Sequence, residues 1–176
     1  MTARSLPGAP VAGCWTVSDT RTQVAFSVGN LGRVVHGTVA CAWGEVVVGD
    51  DGTPVRARAE LDLTSVCTGN SRRDADLRAP RLLDVGRHPV MRWSADRFTA
   101  VAEGGWAAEG VLEVRGCSAP LVLVGRPEVA VPGGAWLAIH ATGALDRAAV
   151  GIRAPSFLIG RTVTVSVAAW LRPGAR

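Results

Sequence analysis

Val55-Arg56-Ala57-Arg58-Ala59-Glu60-Leu61-Asp62-Leu63 places an apolar residue at every odd position and a charged one at every even position. A strand produces that pattern because its side chains alternate between two faces, whereas a helix would scatter the same apolar set around its circumference. The segment is therefore a strand with one dry and one wet face. The parity returns near the C-terminus, where Val163, Val165, Val167, Ala169 and Leu171 alternate with Thr162, Thr164 and Ser166.

Between these two segments the same reading repeats. Val24, Phe26 and Val28 share one face, as do Met91, Trp93 and Ala95. Trp106, Ala108, Leu112 and Val114 oppose Glu109, Glu113 and Arg115, and Leu121 with Leu123, then Leu137, Ile139, Ala141 and Leu145, continue the series. Glycine- or proline-rich punctuation separates the segments, at Gly29-Asn30-Leu31-Gly32, Gly49-Asp50-Asp51-Gly52, Glu103-Gly104-Gly105, Gly116-Cys117-Ser118-Ala119-Pro120 and Pro132-Gly133-Gly134. About eight to ten short strands joined by tight turns, each with one apolar face, must stack as a sandwich or close into a barrel.

One segment departs from period two. Ser71-Arg72-Arg73-Asp74-Ala75-Asp76-Leu77-Arg78-Ala79 begins with a serine three residues before an acid and stops at Pro80, which predicts a capping box and a short helix over 71–79. Asp74 and Arg78 then lie one turn apart and are placed to pair.

The chain has 176 residues, 48% of them hydrophobic and 19% charged, which suits one apolar globular domain and excludes a disordered or charge-rich rod. It contains no lysine, so a Schiff-base nucleophile and the Gly-Lys-Ser/Thr end of a phosphate loop are both excluded. A net charge of +4, with arginines interleaved among acids along the chain, argues against a nucleic-acid partner. Val11-Ala12-Gly13-Cys14 resembles a lipoprotein processing site, but Ser5-Leu6-Pro7-Gly8-Ala9-Pro10 before it supplies no apolar centre. Residues 1–12 are expected to be a loose tail, residues 13–172 the domain, and the location cytoplasmic. Cys14, Cys41, Cys67 and Cys117 are far apart and form no Cys-x-x-Cys, so neither zinc nor a cofactor is expected, and reduced thiols are.

Several runs resemble the YceI-like family. They are Trp15; Val24-Ala25-Phe26-Ser27-Val28 followed by Asn30-Leu31-Gly32; Gly37; and Ser65-Val66-Cys67-Thr68-Gly69-Asn70 leading into Arg73-Asp74-x-x-Leu77. The series continues with His88-Pro89, Gly110-x-Leu112-x-Val114-x-Gly116 with Pro120, and Asp146-Arg147 shortly before Gly151-Ile152. The resemblance spans about residues 15 to 171. It implies an all-β, lipocalin-like, eight-stranded antiparallel barrel whose interior binds polyisoprenoid chains such as quinone tails. Val39 and Ala42 stand where that family commonly has bulky aromatics, a change that reshapes the cavity, and Asp76 stands where it often has histidine.

An eight-stranded barrel leaves an interior that side chains fill or that holds one small ligand. The inward set expected to contact an apolar lipid is Val24, Phe26, Val28 and Val39, then Ala57, Ala59 and Leu61, then Met91 and Trp93. Trp106, Leu112, Val114, Leu121, Leu123, Leu137, Ile139, Val163, Val165 and Val167 complete it. The many alanines argue against a completely filled interior. A chain of about 40 carbons at drug-like efficiency, about 0.3 kcal/mol per atom, would bind with about 12 kcal/mol, near nanomolar, without a polar anchor.

Arg147 shares parity with Leu145 and Ile139, which aims its guanidinium inward, where it needs an acid or water. Asp74 is the expected partner, and with Arg73 the pair would line the barrel mouth or plug it. His36, His88 and His140 fall in different segments without a carboxylate pair or a Gly-x-Ser-x-Gly elbow, so no catalytic residue is assigned. Trp136 and Trp170 fall on the outer face, compatible with edge packing, a homodimer interface or transient membrane contact. Two other classes stay open: an enzyme acting on a hydrophobic substrate held in the barrel, and a structural β domain with a filled core.

Overall fold

The computed structural model describes residues 10–18, 20–129, 135–155 and 157–174. Most of the expected N-terminal tail and the Pro132-Gly133-Gly134 turn lie outside the described residues. Among the described residues nine strands form: β1 Gly13–Val17, β2 Gln23–Asn30, β3 Arg33–Val48, β4 Pro54–Cys67, β5 Val90–Val101, β6 Gly105–Val114, β7 Cys117–Val129, β8 Leu137–Asp146 and β9 Ile159–Pro173. Among the described residues one α-helix, α1 Ser71–Arg78, joins β4 to β5, and a single 3-10 turn, Ala102–Gly104, joins β5 to β6.

The strands follow the order β1-β3-β2-β9-β8-β7-β6-β5-β4, and pairing of β3 with β4 closes the ring. β1 and β2 occupy a single place in it. Residues Glu45 to Val48 of β3 pair with β1 and Arg33 to Val39 with β2, while β9 pairs with β2 up to Ala168 and with β1 from Leu171. The result is a closed antiparallel barrel of eight staves, one split by the turn at Ser18–Thr22. Closure removes the unpaired edges that an open sheet of this size would expose.

Parity survives in β4, where Ala57, Ala59 and Leu61 pair with Ala95, Trp93 and Met91 on the inner face. It does not survive everywhere. Register shifts interrupt β3 between Cys41 and Trp43 and β5 between Ala95 and Arg97. Each inserted residue moves the following side chains to the opposite face. Strict alternation therefore omits Val46, Val48 and Phe98 from the interior, although all three face it.

The helix forms where its composition predicts, but its cap differs. Asn70, not Ser71, is the N-cap, and its side chain accepts from the Arg73 backbone N–H at 3.0 Å. Asp74 is consequently released from capping, and Arg78 donates to the Val66 carbonyl at 2.7 Å instead of pairing with Asp74. Together α1, the turns after it and the segment 147–152 close one end of the barrel, the plugged end. Leu63, Val66, Val85, Leu112, Val114 and Val150 pack there as a buried cluster, with Leu63, Val66 and Leu112 also facing the cavity beyond it. A smaller cluster of Trp15, Val48, Leu137, Ala169 and Leu171 sits toward the far end, beneath β1.

Candidate functional site

Between the two clusters the barrel is hollow. A cavity of about 330 Å³ runs from Pro10 and Pro54 at the far end to Arg147, Ile152 and Ile159 at the plugged end. That volume lies within the range of roughly 300–1,000 Å³ typical of small-molecule sites. Its walls are aliphatic and aromatic apart from Thr22, Cys41, Glu45, Arg58, Arg126 and Arg147. Inward residues such as Phe26, Leu61, Met91, Val163, Val165 and Val167 are only half-buried, because the surface they expose faces the cavity.

Two aromatic side chains lie along the wall instead of across the lumen, and glycines make this feasible. Phe26 pairs directly with Gly37, and its ring occupies the space a Cβ at Gly37 would need. The Trp93 indole does the same over Gly110, and its Nε1 donates to the Leu121 carbonyl at 3.0 Å. An alanine at either glycine would push a ring toward the centre.

Of the residues expected on the inner face, Val24, Phe26, Val28, Val39, Ala57, Ala59, Leu61, Met91, Trp93 and Trp106 line the cavity. Leu112, Leu121, Leu123, Leu137, Ile139, Val163, Val165 and Val167 do so too. Val114 does not: it sits at the last residue of β6, sealed among the residues of the plug.

The expected Arg147–Asp74 pair does not form. Arg147 is 4% exposed and reaches the cavity, but its donors go to backbone carbonyls. Nε bonds Gly160 at 2.8 Å, Nη1 bonds Ile152 at 2.9 Å, and Nη2 bonds Ala154 at 2.8 Å and Ile159 at 2.7 Å. Four carbonyls, two from the β8–β9 loop and two from the start of β9, thus replace a counter-ion and pin that loop across the plugged end. Asp74, also buried, accepts from the Thr68 N–H at 2.8 Å and hydroxyl at 2.6 Å, and Arg73 Nε donates to the same hydroxyl at 2.9 Å. The Thr68 hydroxyl holds the Asp74 carboxyl below its ordinary pKa, helped by Arg78 and Arg73. Neither Arg73 nor Asp74 touches the cavity; both anchor the helix.

Trp136 and Trp170 flank the Arg21 guanidinium, at 5.0 and 5.6 Å from the ring centroids. This outer-face stack fastens the turn that splits the first stave. All four cysteines are free, and burial pushes the Cys41 thiol up. Among the described residues no three metal-ligating side chains converge.

A family model described as YceI-like domain matches residues 15–170. The fold is similar to that of BcnA from Burkholderia cenocepacia, with a TM-score of 0.76 at 12% identity over 88% of this chain and 98% of that one. It is also similar to a polyisoprenoid binding domain from Saccharophagus degradans implicated in plant cell wall breakdown, with a TM-score of 0.68 at 14% identity, covering 91% and 98% of the two chains. A mutant Campylobacter jejuni YceI protein with a monobromobimane guest gives a TM-score of 0.70 at 14% identity, covering 80% and 86%. No curated protein matches the sequence.

Proposed function

We propose, since this chain belongs to the YceI-like family, that its barrel binds one long apolar lipid, a polyisoprenoid or an isoprenoid-quinone tail, as a carrier or store and without chemistry on it. The observation that carries this reading is the hollow. Residues that point inward remain half-buried because about 330 Å³ between them is empty of side chains.

The chemistry of the wall restricts the ligand. Water gains little in a space with so few hydrogen-bonding groups, so an apolar occupant is favoured over solvent. Each carbon moved from water into the cavity gains about 0.8 kcal/mol before the cost of ordering a flexible chain. A branched, partly rigid isoprenoid loses less freedom than a saturated chain of equal length, which favours the former. That one structural relative is a polyisoprenoid binding domain supports the same class. Arg147 is occupied by four carbonyls, so the affinity resides in the walls and not in a buried ionic anchor.

Native mass spectrometry of protein purified from its own host tests the proposal. The expected result is one lipid per barrel, recovered intact as an isoprenoid by solvent extraction. An empty barrel that also refuses added polyprenol overturns the reading, and a chemically altered product overturns the absence of catalysis.

A further inference from the structure

We infer that the plugged end is a docking surface for an anionic lipid bilayer. The inference rests on the lipid-carrier reading for its purpose, but on separate residues for its evidence.

The first observation is an apolar knob. Phe157 is 78% exposed, Leu31 67%, Val34 62% and Leu158 38%. Leu31 belongs to the β2–β3 turn with Val34 at the start of β3, and Phe157 and Leu158 to the β8–β9 connection; the Leu31 N–H bond to the Leu158 carbonyl at 3.1 Å holds the two together. Other exposed apolar side chains, such as Val111, Val122 and Val124, lie on the flat flank of the barrel on β6 and β7. At the opposite end Val11, Val55 and Val101 are exposed singly, whereas among the described residues the knob brings four such side chains together at neighbouring turns, where they can enter the headgroup layer without burying strand backbone.

The second observation is charge. The segments that build the plugged end, 30–34, 68–89, 115–117 and 146–161, hold ten arginines against four aspartates, in a chain whose total charge is only +4. The remainder of the molecule is therefore net negative. Arg33 and Arg153 have no carboxylate partner among the described residues, and Arg153 borders a surface cleft with Arg147 and Arg161. Basic side chains around exposed Phe and Leu are what an anionic interface attracts, at about fivefold in affinity per arginine.

The third is continuity with the lumen. Ile152 and Ile159 line the cavity from the loop whose carbonyls Arg147 holds, and Phe157 and Leu158 stand on the outside of that same loop. Docking there sets the loop that closes the lumen against the membrane from which a lipid would be drawn.

Flotation with vesicles decides the matter, using phosphatidylcholine alone and an equal mixture with phosphatidylglycerol, with the oligomeric state followed by analytical ultracentrifugation. The protein should float only with the anionic vesicles. The L31S/F157S and R33Q/R153Q variants should each lose about tenfold or more, while the flank variant V111S/V122S, with the same number of apolar groups removed, should bind as the parent does. Circular dichroism on each variant confirms folding, which these exposed sites leave intact. Failure to float, or equal loss in the flank variant, overturns docking, and so does a dimer that L31S/F157S abolishes, which would assign the knob to a second copy. An empty barrel that floats keeps the docking and removes the carrier reading; a lipid-loaded barrel that never floats does the reverse.

Discussion

The lumen and the plug are built from the same chain by opposite chemistry. The lumen is a wall of strand residues whose spacing repeats every two positions, almost free of hydrogen-bonding groups, and it leaves space. The plug is irregular and relies on polar side chains that terminate on backbone: Arg147 on four carbonyls, Asp74 on the Thr68 N–H, Arg78 on Val66 and Arg115 on Gly151 at 2.8 Å. A wall made of paired strands already satisfies its own backbone, so it can be dry. Loops folded across a barrel end cannot, and imported donors must meet their carbonyls.

That contrast breaks most visibly at Arg147. Replacing Arg147 by Met keeps the volume and removes the donors, leaving buried carbonyls unmatched, a loss of about 3–5 kcal/mol. Thermal unfolding should drop by roughly 6–20 °C for a domain of this size. A drop within error would mean that the loop closes without it. Next in size is Gly110→Ala, where the new Cβ meets the Trp93 indole. About 1–3 kcal/mol is expected from such overpacking, together with changed Trp93 fluorescence as the ring swings inward.

Asp74→Asn probes the plug through pH. Its folded pKa is depressed, so its stabilisation is complete above the unfolded value near 3.9 and is lost progressively below it, as pH falls through the lower folded value. The variant should melt lower than the parent at neutral pH, and the gap should narrow below about pH 4. A gap that stays constant with pH would contradict the Thr68 contact as its source. At the small end, Arg92→Gln breaks an exposed pair with Glu60 at 2.9 Å on the outer wall and should change stability by no more than about 0.5 kcal/mol.

How far the sequence could be read follows the same division. Ala57, Ala59 and Leu61, or Val163 to Val167, were legible because each stands in an uninterrupted alternation. Phe98 and Val46 were not, because a bulge carries no compositional mark and shifts parity silently. The partners of Arg147 left no trace at all: a backbone carbonyl is present at every residue, so nothing in the sequence distinguishes the four that accept. Asp74 is recognisable as special within Thr68-Gly69-Asn70-x-x-Arg73-Asp74, but parity points to Arg147 as its partner, whereas the contact that forms is local, with the hydroxyl six residues upstream. The charge imbalance was hidden for another reason. Arginines and acids alternate along the chain, and only the barrel topology gathers four separate connections at one end.

The central claim is that the lumen is empty of protein, and Ala59→Phe measures it directly through thermal stability combined with polyprenol binding. Ala59 faces the cavity from β4. In a hollow barrel the added ring fills space: stability should stay within about 1 kcal/mol of the parent while polyprenol affinity falls at least about tenfold. A destabilisation of about 1–3 kcal/mol with binding unchanged would show a packed core at that position and contradict the account.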